Sequence, residues 1–243
     1  MTITVRKNIE QYMRELTQWL SETADVPLEE MGAFFSARID SYEEHMSVWK
    51  PAYEAFAGLI PDGCRTLLDL GCGTGLELDE IFKLQPHLQV TGVDLCRDML
   101  DQLLIKWNQT ECGGDKRLAV VCQDYFGYDM GTDKWDTVIS FESFHHFFQD
   151  EKTQLYRKIH RCLVPGGVFV LGDYIACCDE EEQLLQRIYL EKREKYRIPE
   201  KQFVHFDIPL TLEHELEALR AAGFAKAAAV DSIEGATLIA AAK

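Results

Sequence analysis

Three glycines at alternate positions, Gly71, Gly73 and Gly75, follow a short apolar run at 67–70 and precede a helical pattern at 76–85. Glycine adopts positive φ readily and lets a ligand approach the backbone, because it has no Cβ. A helix that starts after such a turn directs its unpaired N–H groups toward the same place. The spacing therefore predicts a ligand cradle built from backbone at the carboxyl end of a strand.

Acidic residues follow the next two predicted strands. Asp94 follows the strand at 89–93, where a carboxylate can accept hydrogen bonds from two ribose hydroxyls. Asp94 also suits a helix N-cap, and the two roles are compatible. Asp124 and Tyr125 follow the strand at 117–122, where a carboxylate and an aromatic ring can bind an exocyclic amine and flank an adenine ring. An ordinary strand-end acid is the alternative for Asp124.

Two adjacent histidines, His145 and His146, come shortly after a predicted strand at 136–140. Because an imidazole titrates near neutral pH, either ring suits a general base. The alternative is that one or both histidines pack against a ligand or cap the following turn. Further along, most charges at 173–208 are expected to form a solvated helix face, and the alternative is that Arg193 or Arg197 pairs with an anionic substrate.

The elements that carry these residues alternate in type after residue 60. Strands are predicted at 66–70, 89–93, 117–122, 136–140 and 167–172, with helices at 76–85, 97–109 and 150–162 between them. Such alternation indicates parallel βαβ units. A charged helix is expected at 179–196 and another after Thr211, and the chain closes with strands at 224–230 and 236–242 that form a hairpin.

The N-terminal region has apolar residues at helical spacing. Helices are predicted at 6–21, from Pro27 onward with Asp25 as its cap, at 34–49 and at 53–59. The pattern leaves open whether these helices pack on the flank of the domain or cover the glycine turn.

Composition limits the classes of function. The 243 residues carry a net charge of −16, which argues against nucleic acid and against anionic membranes as partners. We expect no membrane span, since no apolar run approaches the roughly 20 residues required. Eight cysteines occur without a CxxC pair, so a metal site is not expected, and reduced thiols in a cytoplasmic protein are predicted.

In order and spacing these features resemble the class I S-adenosylmethionine-dependent methyltransferases. The glycine turn looks like the family's DxGxGxG motif, and Asp94 and Asp124 match its ribose and adenine positions. WDTVIS at 135–140 with the two histidines, LVPGG at 163–167 and the closing strand pair resemble its later motifs. The resemblance covers about 60–178 and 211–243. It implies S-adenosyl-L-methionine as cofactor and the following cofactor-binding residues: Asp69, Gly71, Cys72, Gly73, Gly75, Asp94, Leu95, Met99, Asp124, Tyr125, Phe141 and Tyr42.

The N-terminal segment 35–46, FSARIDSYEEHM, is similar to the FDxxAxxYDxxM pattern of small-molecule methyltransferases related to quinone-biosynthesis enzymes. In that group the tyrosine closes over the methionine end of the cofactor, which implies this role for Tyr42. Ser36, Ile39 and Glu43 depart from the pattern, so a packing role for Tyr42 is the alternative.

The resemblance implies an α/β fold in three layers, a Rossmann-like sheet of seven strands, mostly parallel with an antiparallel C-terminal strand, and an N-terminal helical cap. We expect the cap at 1–60 and the methyltransferase domain at 61–243, with a substrate-side helical insertion at 173–210. The expected activity is methyl transfer to a small molecule, with His146 and His145 as catalytic candidates, and a homodimer is left open. The alternatives are a carboxymethyl-forming synthase that uses the same cofactor and a nicotinamide-dependent oxidoreductase.

Overall fold

The computed structural model describes residues 3–108 and 117–243. Seven strands form one sheet: β1 Thr66–Leu70, β2 Gln89–Asp94, β3 Leu118–Cys122, β4 Trp135–Phe141, β5 Leu163–Tyr174, β6 Lys226–Ile233 and β7 Ala236–Ala242. Their order across the sheet is β3-β2-β1-β4-β5-β7-β6. The first five strands pair in parallel, and β7 is antiparallel to both β5 and β6. The predicted sheet is confirmed.

The helices lie between and before the strands. They are α1 Ile9–Glu22, α2 Met31–Ser36, α3 Ile39–Met46, α4 Lys50–Ala57, α5 Leu76–Leu84, α6 Arg97–Asn108, α7 Gln149–Cys162, α8 Asp179–Lys195 and α9 Leu212–Ala221, with 3₁₀ turns at Ser47–Trp49 and Phe144–His146. The end of the helix predicted at 97–109 lies outside the described residues, as does Cys112.

Both faces of the sheet are covered. On β1 and β4, Leu68 and Val138 belong to one buried cluster, whereas Leu67 and Ile139 belong to another. Successive side chains of a strand point to opposite faces, so these two clusters are the two cores of a three-layer fold. The first core takes in residues of α7 and α9, and the second takes in residues of α4, α5 and α6. This burial on both faces explains the nearly continuous apolar runs of the parallel strands.

The LVPGG turn interrupts the edge between β4 and β5. Leu163 pairs with Trp135, but the next pair is Val168 with Thr137, so the residues between them leave the ladder. Gly166 takes φ 81° at this point. Strand β5 is longer than the predicted strand at 167–172, because Leu163 pairs with β4 before the turn and Asp173 and Tyr174 pair with β7 at the other end.

Two of the N-terminal predictions are wrong in detail. Pro27 does not open a helix: α2 begins at Met31, with the side chain of Glu30 accepting a backbone hydrogen bond as N-cap. Asp25, the predicted cap, instead pairs with Lys195 of α8 at 2.5 Å. The ion pair draws the Asp25 segment to α8, a contact that lies too far along the chain for a local pattern to reveal.

The helix predicted at 34–49 is also divided. Helix α2 ends at Ser36 and α3 begins at Ile39, because Arg38 between them has a non-helical backbone, with φ −113° and ψ 6°. The break at Arg38 therefore divides the predicted helix into two short ones, both of which contribute residues to the cavity described below.

The N-terminal region contacts the segment after β5. Glu30 forms a bridge with Val204, and Leu20 of α1 is buried in a cluster with Leu185 and Tyr189 of α8. Among the described residues, no helix is long and apolar enough to cross a lipid bilayer. The seven described cysteines are free thiols.

Candidate active site

A cavity opens where β1, β2 and β4 end, beneath α2 and α3. It holds about 570 Å³ of empty space with its open mouth included. Eight of the twelve predicted cofactor residues line it: Tyr42, Gly71, Gly73, Asp94, Leu95, Met99, Tyr125 and Phe141. The topology brings these residues together because the carboxyl ends of parallel strands meet at one edge of the sheet.

The glycine turn has the backbone that the sequence predicted. Gly71 and Gly73 have φ of 79° and 48°, values that side-chain-bearing residues rarely adopt. A Cβ on Gly71 would lie 2.2 Å from Oγ of Ser143, so the turn and the segment after β4 approach too closely for any side chain. A Cβ on Gly73 would lie 3.4 Å from Met99 and 3.7 Å from the Tyr42 hydroxyl, inside the cavity.

Asp94 holds the turn to the start of α6. Its carboxylate accepts hydrogen bonds from the backbone N–H of Gly73 at 2.9 Å and of Cys96 at 2.7 Å. Burial raises the pKa of Asp94, and these backbone hydrogen bonds oppose that shift. Since a carboxylate has about four acceptor positions, Asp94 can still accept hydrogen bonds from a ligand in the cavity.

Two buried carboxyl groups flank the turn, close to each other and without a salt bridge among the described residues. They are Asp69, at the end of β1, and Glu77, in the first turn of α5, and no hydrogen-bond donor from another described residue reaches either oxygen of Asp69 or Oε1 of Glu77. Burial, and then the nearby Glu77, raises the pKa of Asp69. Burial also raises the pKa of Glu77 to about 7. Two carboxyl groups buried side by side without a cation are costly. A cationic group bound at the turn would offset that cost.

The other predicted cofactor residues lie outside the cavity lining. Asp69 is fully buried, Cys72 packs toward Gly92 with its sulfur, and Gly75 lies against Leu103. Asp124 is exposed in an adjoining cleft, where its carboxylate accepts the N–H of Phe126 at 2.9 Å. The adjoining cleft shares Leu95, Tyr125 and His146 with the main cavity.

A second, larger cavity lies on the other side of Tyr42. It holds about 1450 Å³ with its mouth, and aromatic side chains line much of it, including Phe34, Phe35 and Trp49. Four residues line both cavities: Phe35, Tyr42, Glu142 and His146. The two spaces therefore adjoin at these side chains, where a group in one could meet a group in the other.

His145 is held between three carboxyl groups. Its Nδ1 lies 2.6 Å from Asp173 and 3.8 Å from Glu142, and its Nε2 lies 3.5 Å from Asp207. Burial favours the neutral ring, but Asp173, Asp207 and Glu142 together outweigh it and raise the pKa of His145 to about 9. His145 is thus an imidazolium at neutral pH.

His146 is in the opposite protonation state. Burial first, and then the charge of His145 and the neighbouring His205, lowers the pKa of His146 well below its ordinary value. Its Nδ1 lies 3.1 Å from the carbonyl oxygen of Phe206. Because a carbonyl only accepts, Nδ1 carries the proton and Nε2 of the neutral ring keeps its lone pair. The neutral ring of His146 therefore has a lone pair that can accept a proton, while its lowered pKa makes it a weaker base than an ordinary imidazole.

A buried chain of charges supports His145 from behind. Asp173 lies 3.8 Å from the ammonium of Lys152, which also contacts Glu215 at 2.6 Å, and the hydroxyl of Tyr156 donates to Glu215. These side chains come from β5, α7 and α9 and are fully buried. The chain fixes Asp173, and through it the orientation of the His145 ring.

Glu142 is the site residue that the sequence analysis missed. It is not glycine, yet it takes φ 48°, a strained conformation that proteins tend to retain at functional sites. Its side chain is 11% exposed, and Oε1 has no hydrogen-bond partner among the described residues. Burial raises the pKa of Glu142 to about 8, an effect that His145 opposes and that Asp173 and Asp207 reinforce. In the sequence, only the position of Glu142 directly after β4 could have indicated that it belongs to the site.

The same side chains offer donors for a metal ion, although none was expected. His145, His146 and Asp207 form one group of three donors within 4.8 Å, and Glu142, His145 and Asp173 form another. The 2.6 Å contact between His145 and Asp173 has a hydrogen-bond length. The Nδ1 of His146 already donates to Phe206. Hydrogen bonds and ion pairs account for both groups.

Comparison with known proteins gives a consistent result. A family described as a methyltransferase domain matches residues 67–167. Cyclopropane mycolic acid synthase MmaA2 of Mycobacterium tuberculosis is 26% identical over 106 residues, which are 44% of this chain and 35% of that protein. Carboxy-S-adenosyl-L-methionine synthase of Pseudomonas putida is 34% identical over 85 residues, which are 32% of this chain and 34% of that protein. The chain thus spans about a third of the length of these curated relatives.

Solved structures share the fold. Human N-acetylserotonin methyltransferase, determined in complex with S-adenosylmethionine, superposes with a TM-score of 0.57 at 18% identity. The match covers 81% of this chain and 52% of that one.

Proposed function

The chain belongs, through its methyltransferase domain at residues 67–167, to the class I S-adenosylmethionine-dependent methyltransferases, and from this we propose that it transfers a methyl group to a small molecule. The observation that carries the proposal is the pairing of two adjoining cavities, one beside the glycine turn and one walled by aromatic residues. Methyl transfer needs such a pair, since cofactor and substrate must meet at their reacting ends.

The residues around the turn fit the cofactor. We propose that Asp94 accepts the ribose hydroxyls, with Asp124 and Tyr125 on the adenine side, while the backbone of Gly71 and Gly73 lies against the amino-acid part. Asp69 and Glu77, buried beside each other without a salt bridge among the described residues, suit the cationic ammonium end. Leu95, Met99 and Phe141 supply apolar walls, and Cys72 and Gly75 support the turn by packing.

When bound, S-adenosylmethionine supplies an electrophilic methyl group whose bonding electron pair returns to sulfur as the substrate's lone pair bonds the carbon. The protein orients the nucleophile, excludes water and removes a proton where needed. We propose His146 as the general base, acting through Nε2. His145 remains charged and serves as a positioning residue, held by Asp173. A base of this kind contributes about 10²- to 10⁴-fold to the rate.

The N-terminal residues 1–60 form the cap in this proposal, and 173–210 form the substrate-side insertion of the domain at 61–243. The support is that α2 and α3 contribute Met31, Phe35 and Tyr42 to the first cavity, while His205 and Asp207 line the second. The free thiols of the described cysteines favour a reducing, cytoplasmic setting.

Calorimetry tests the cofactor assignment. S-adenosylhomocysteine should bind tightly and NAD should not, because the GxGxG spacing differs from the GxGxxG dinucleotide fingerprint. Tight binding of NAD alone would refute the proposal and favour an oxidoreductase.

The reaction itself needs a second experiment, because one relative is a carboxy-S-adenosyl-L-methionine synthase. Transfer of radiolabelled methyl from S-adenosylmethionine into a pool of small molecules would support methyl transfer. Cofactor binding with conversion of the cofactor itself, followed by mass spectrometry, would instead support the synthase reaction.

A further inference from the structure

The second cavity is lined by more carboxyl groups than cationic side chains, and its cations are already paired with other carboxylates. Arg38, at its wall, makes a salt bridge with Glu29 at 2.7 Å, and His145 is matched by Asp173 at 2.6 Å. Of the carboxyl groups that line the cavity, Glu142, Asp207 and Glu44 are then left without a matching cation of their own. A negatively charged substrate would meet repulsion here.

Arg193, one of the two arginines considered as a binder of substrate anions, makes other contacts. The guanidinium of Arg193 donates to the backbone carbonyls of Pro199, Glu200 and Gln202 and to the hydroxyl of Tyr189. It therefore fixes the loop that follows α8, and it lines the adjoining cleft rather than the second cavity. The interpretation of this arginine as a binder of substrate anions loses its support.

Glu142 is placed to receive a cation. It lies at the junction of the two cavities, its Oε1 has no partner among the described residues, and its backbone is strained. The ring of His145 separates it from Asp207, which approaches the far nitrogen of that ring. Phe35 and Tyr42 border the same junction, and aromatic faces attract cations.

We propose that the substrate is a small amine, which enters the second cavity as its ammonium ion, is held by Glu142 between the aromatic side chains, and is methylated on nitrogen. This inference rests on the proposed function and names its substrate class. One ammonium proton passes to Nε2 of His146, which frees the nitrogen lone pair. That pair forms the new N–CH₃ bond as the S–CH₃ bond breaks with its electrons retained by sulfur, so the amine gains the positive charge that the sulfonium loses.

The arrangement explains why both residues are needed at the junction. The raised pKa of Glu142, about 8, belongs to the cavity without a cation, and an ammonium ion beside the carboxyl group favours its ionised form. The resulting carboxylate binds an ammonium ion in preference to a hydroxyl group, because the hydrogen bonds between them are charge-assisted. The bound ion has no free lone pair, so a neutral base must accept a proton before transfer. Glu142 and His146 supply these two functions at the wall that the cavities share.

Binding to the protein saturated with S-adenosylhomocysteine tests the inference. Three probes share a phenyl ring and differ in charge: phenethylamine, 2-phenylethanol and 3-phenylpropionate, with n-hexylamine and n-hexanol as an aliphatic pair. An amine should bind at least tenfold more tightly than its matched alcohol, and the carboxylate more weakly still. If neither amine exceeds its alcohol, or if the carboxylate binds best, the inference is overturned.

Variants locate the effect. Glu142→Gln keeps the shape of the side chain and removes its charge, so amine affinity should fall about tenfold while alcohol affinity stays the same. Glu191→Gln, on an exposed position of α8, is the matched control and should change neither. Affinity for S-adenosylhomocysteine reports separately on the cofactor site. If the wild-type protein does not bind S-adenosylhomocysteine, the proposed function is refuted. Intact cofactor affinity with equal loss of amine and alcohol binding in Glu142→Gln would refute the substrate class alone.

Discussion

Nδ1 of His145 and Oδ1 of Asp173 lie 2.6 Å apart in a fully buried contact that joins the segment after β4 to the end of β5. The contact keeps one imidazole charged beside a second, neutral imidazole, that of His146. Two adjacent histidines thereby acquire opposite protonation states, which no local sequence pattern could have assigned.

The first prediction concerns the pH dependence of stability. The folded-state pKa of His145 is raised to about 9 by Asp173, Asp207 and Glu142, against an ordinary value of 6.5. Charged His145 therefore adds to the free energy of unfolding, fully below about pH 6.5, and this stabilisation is lost as the pH rises through 9. The stabilisation is on the order of 3 kcal/mol at most. Glu142, with a raised pKa of about 8, changes stability in the same direction, since its folded form retains a proton to higher pH.

Urea unfolding from pH 6 to pH 9.5 measures this effect. The free energy of unfolding of the wild type should fall over that range, and His145→Gln should reduce the fall while leaving the part that Glu142 contributes. A variant with the same pH profile as the wild type would show that His145 is not the titrating group.

The second prediction concerns His146. Replacing it with alanine should lower kcat by about 10²- to 10⁴-fold, because the neutral Nε2 that accepts the proton is removed. Affinity for S-adenosylhomocysteine should stay within about threefold, since backbone and carboxylates hold the cofactor in our proposal. His87→Ala, at an exposed position outside both cavities, is the control. An unchanged kcat in His146→Ala would remove His146 from catalysis.

The glycine turn, Asp94 and the alternation of strands and helices were predictable because each depends on neighbouring residues. The parallel part of the sheet follows from that alternation, whereas the seven-stranded form with its antiparallel strand was implied by the family resemblance. Asp124 shows the limit of such reasoning: its position after β3 is as expected, but its carboxylate is exposed in the adjoining cleft and accepts the N–H of Phe126. The direction of a side chain at a strand end depends on the following turn, which the motif does not specify.

Glu142 was not predictable for a different reason. Its importance comes from a left-handed backbone conformation and from carboxylates on other elements, Asp173 and Asp207. These two residues lie 31 and 65 positions after Glu142 in the chain. The wrong helix start at Pro27 has a similar origin, since Lys195 holds Asp25 from a distant helix.

The third prediction uses the glycine turn. Gly73→Val should abolish binding of S-adenosylhomocysteine while the protein remains folded, because the new side chain would enter the cavity near Met99 and Tyr42. A β-branched residue at φ 48° also costs about 1–3 kcal/mol of stability. Gly63→Val is a matched control: Gly63 has φ 79° and open space around its Cβ position, so it should share the strain but keep the affinity.

Calorimetry and thermal unfolding of the two valine variants separate strain from obstruction. If both lose affinity equally, general destabilisation is the cause. If Gly73→Val binds normally, the cradle does not hold the cofactor.

The fourth prediction compares Asp94 and Asp124, the two acids that the family pattern assigns to the ribose and the adenine of the cofactor. Asp94 accepts hydrogen bonds from Gly73 and Cys96 with its two oxygens, so Asp94→Asn must turn an amide NH₂ toward one of these N–H groups. Affinity for S-adenosylhomocysteine should fall at least tenfold, about 1.4 kcal/mol, through the lost acceptor and the distorted turn. Asp124→Asn should reduce affinity only about threefold, because an exposed carboxylate gains less from one hydrogen bond than a buried one does. Equal losses in the two variants would mean that Asp124 turns into the cavity when the cofactor binds, and an unchanged Asp94→Asn would exclude Asp94 from ribose recognition.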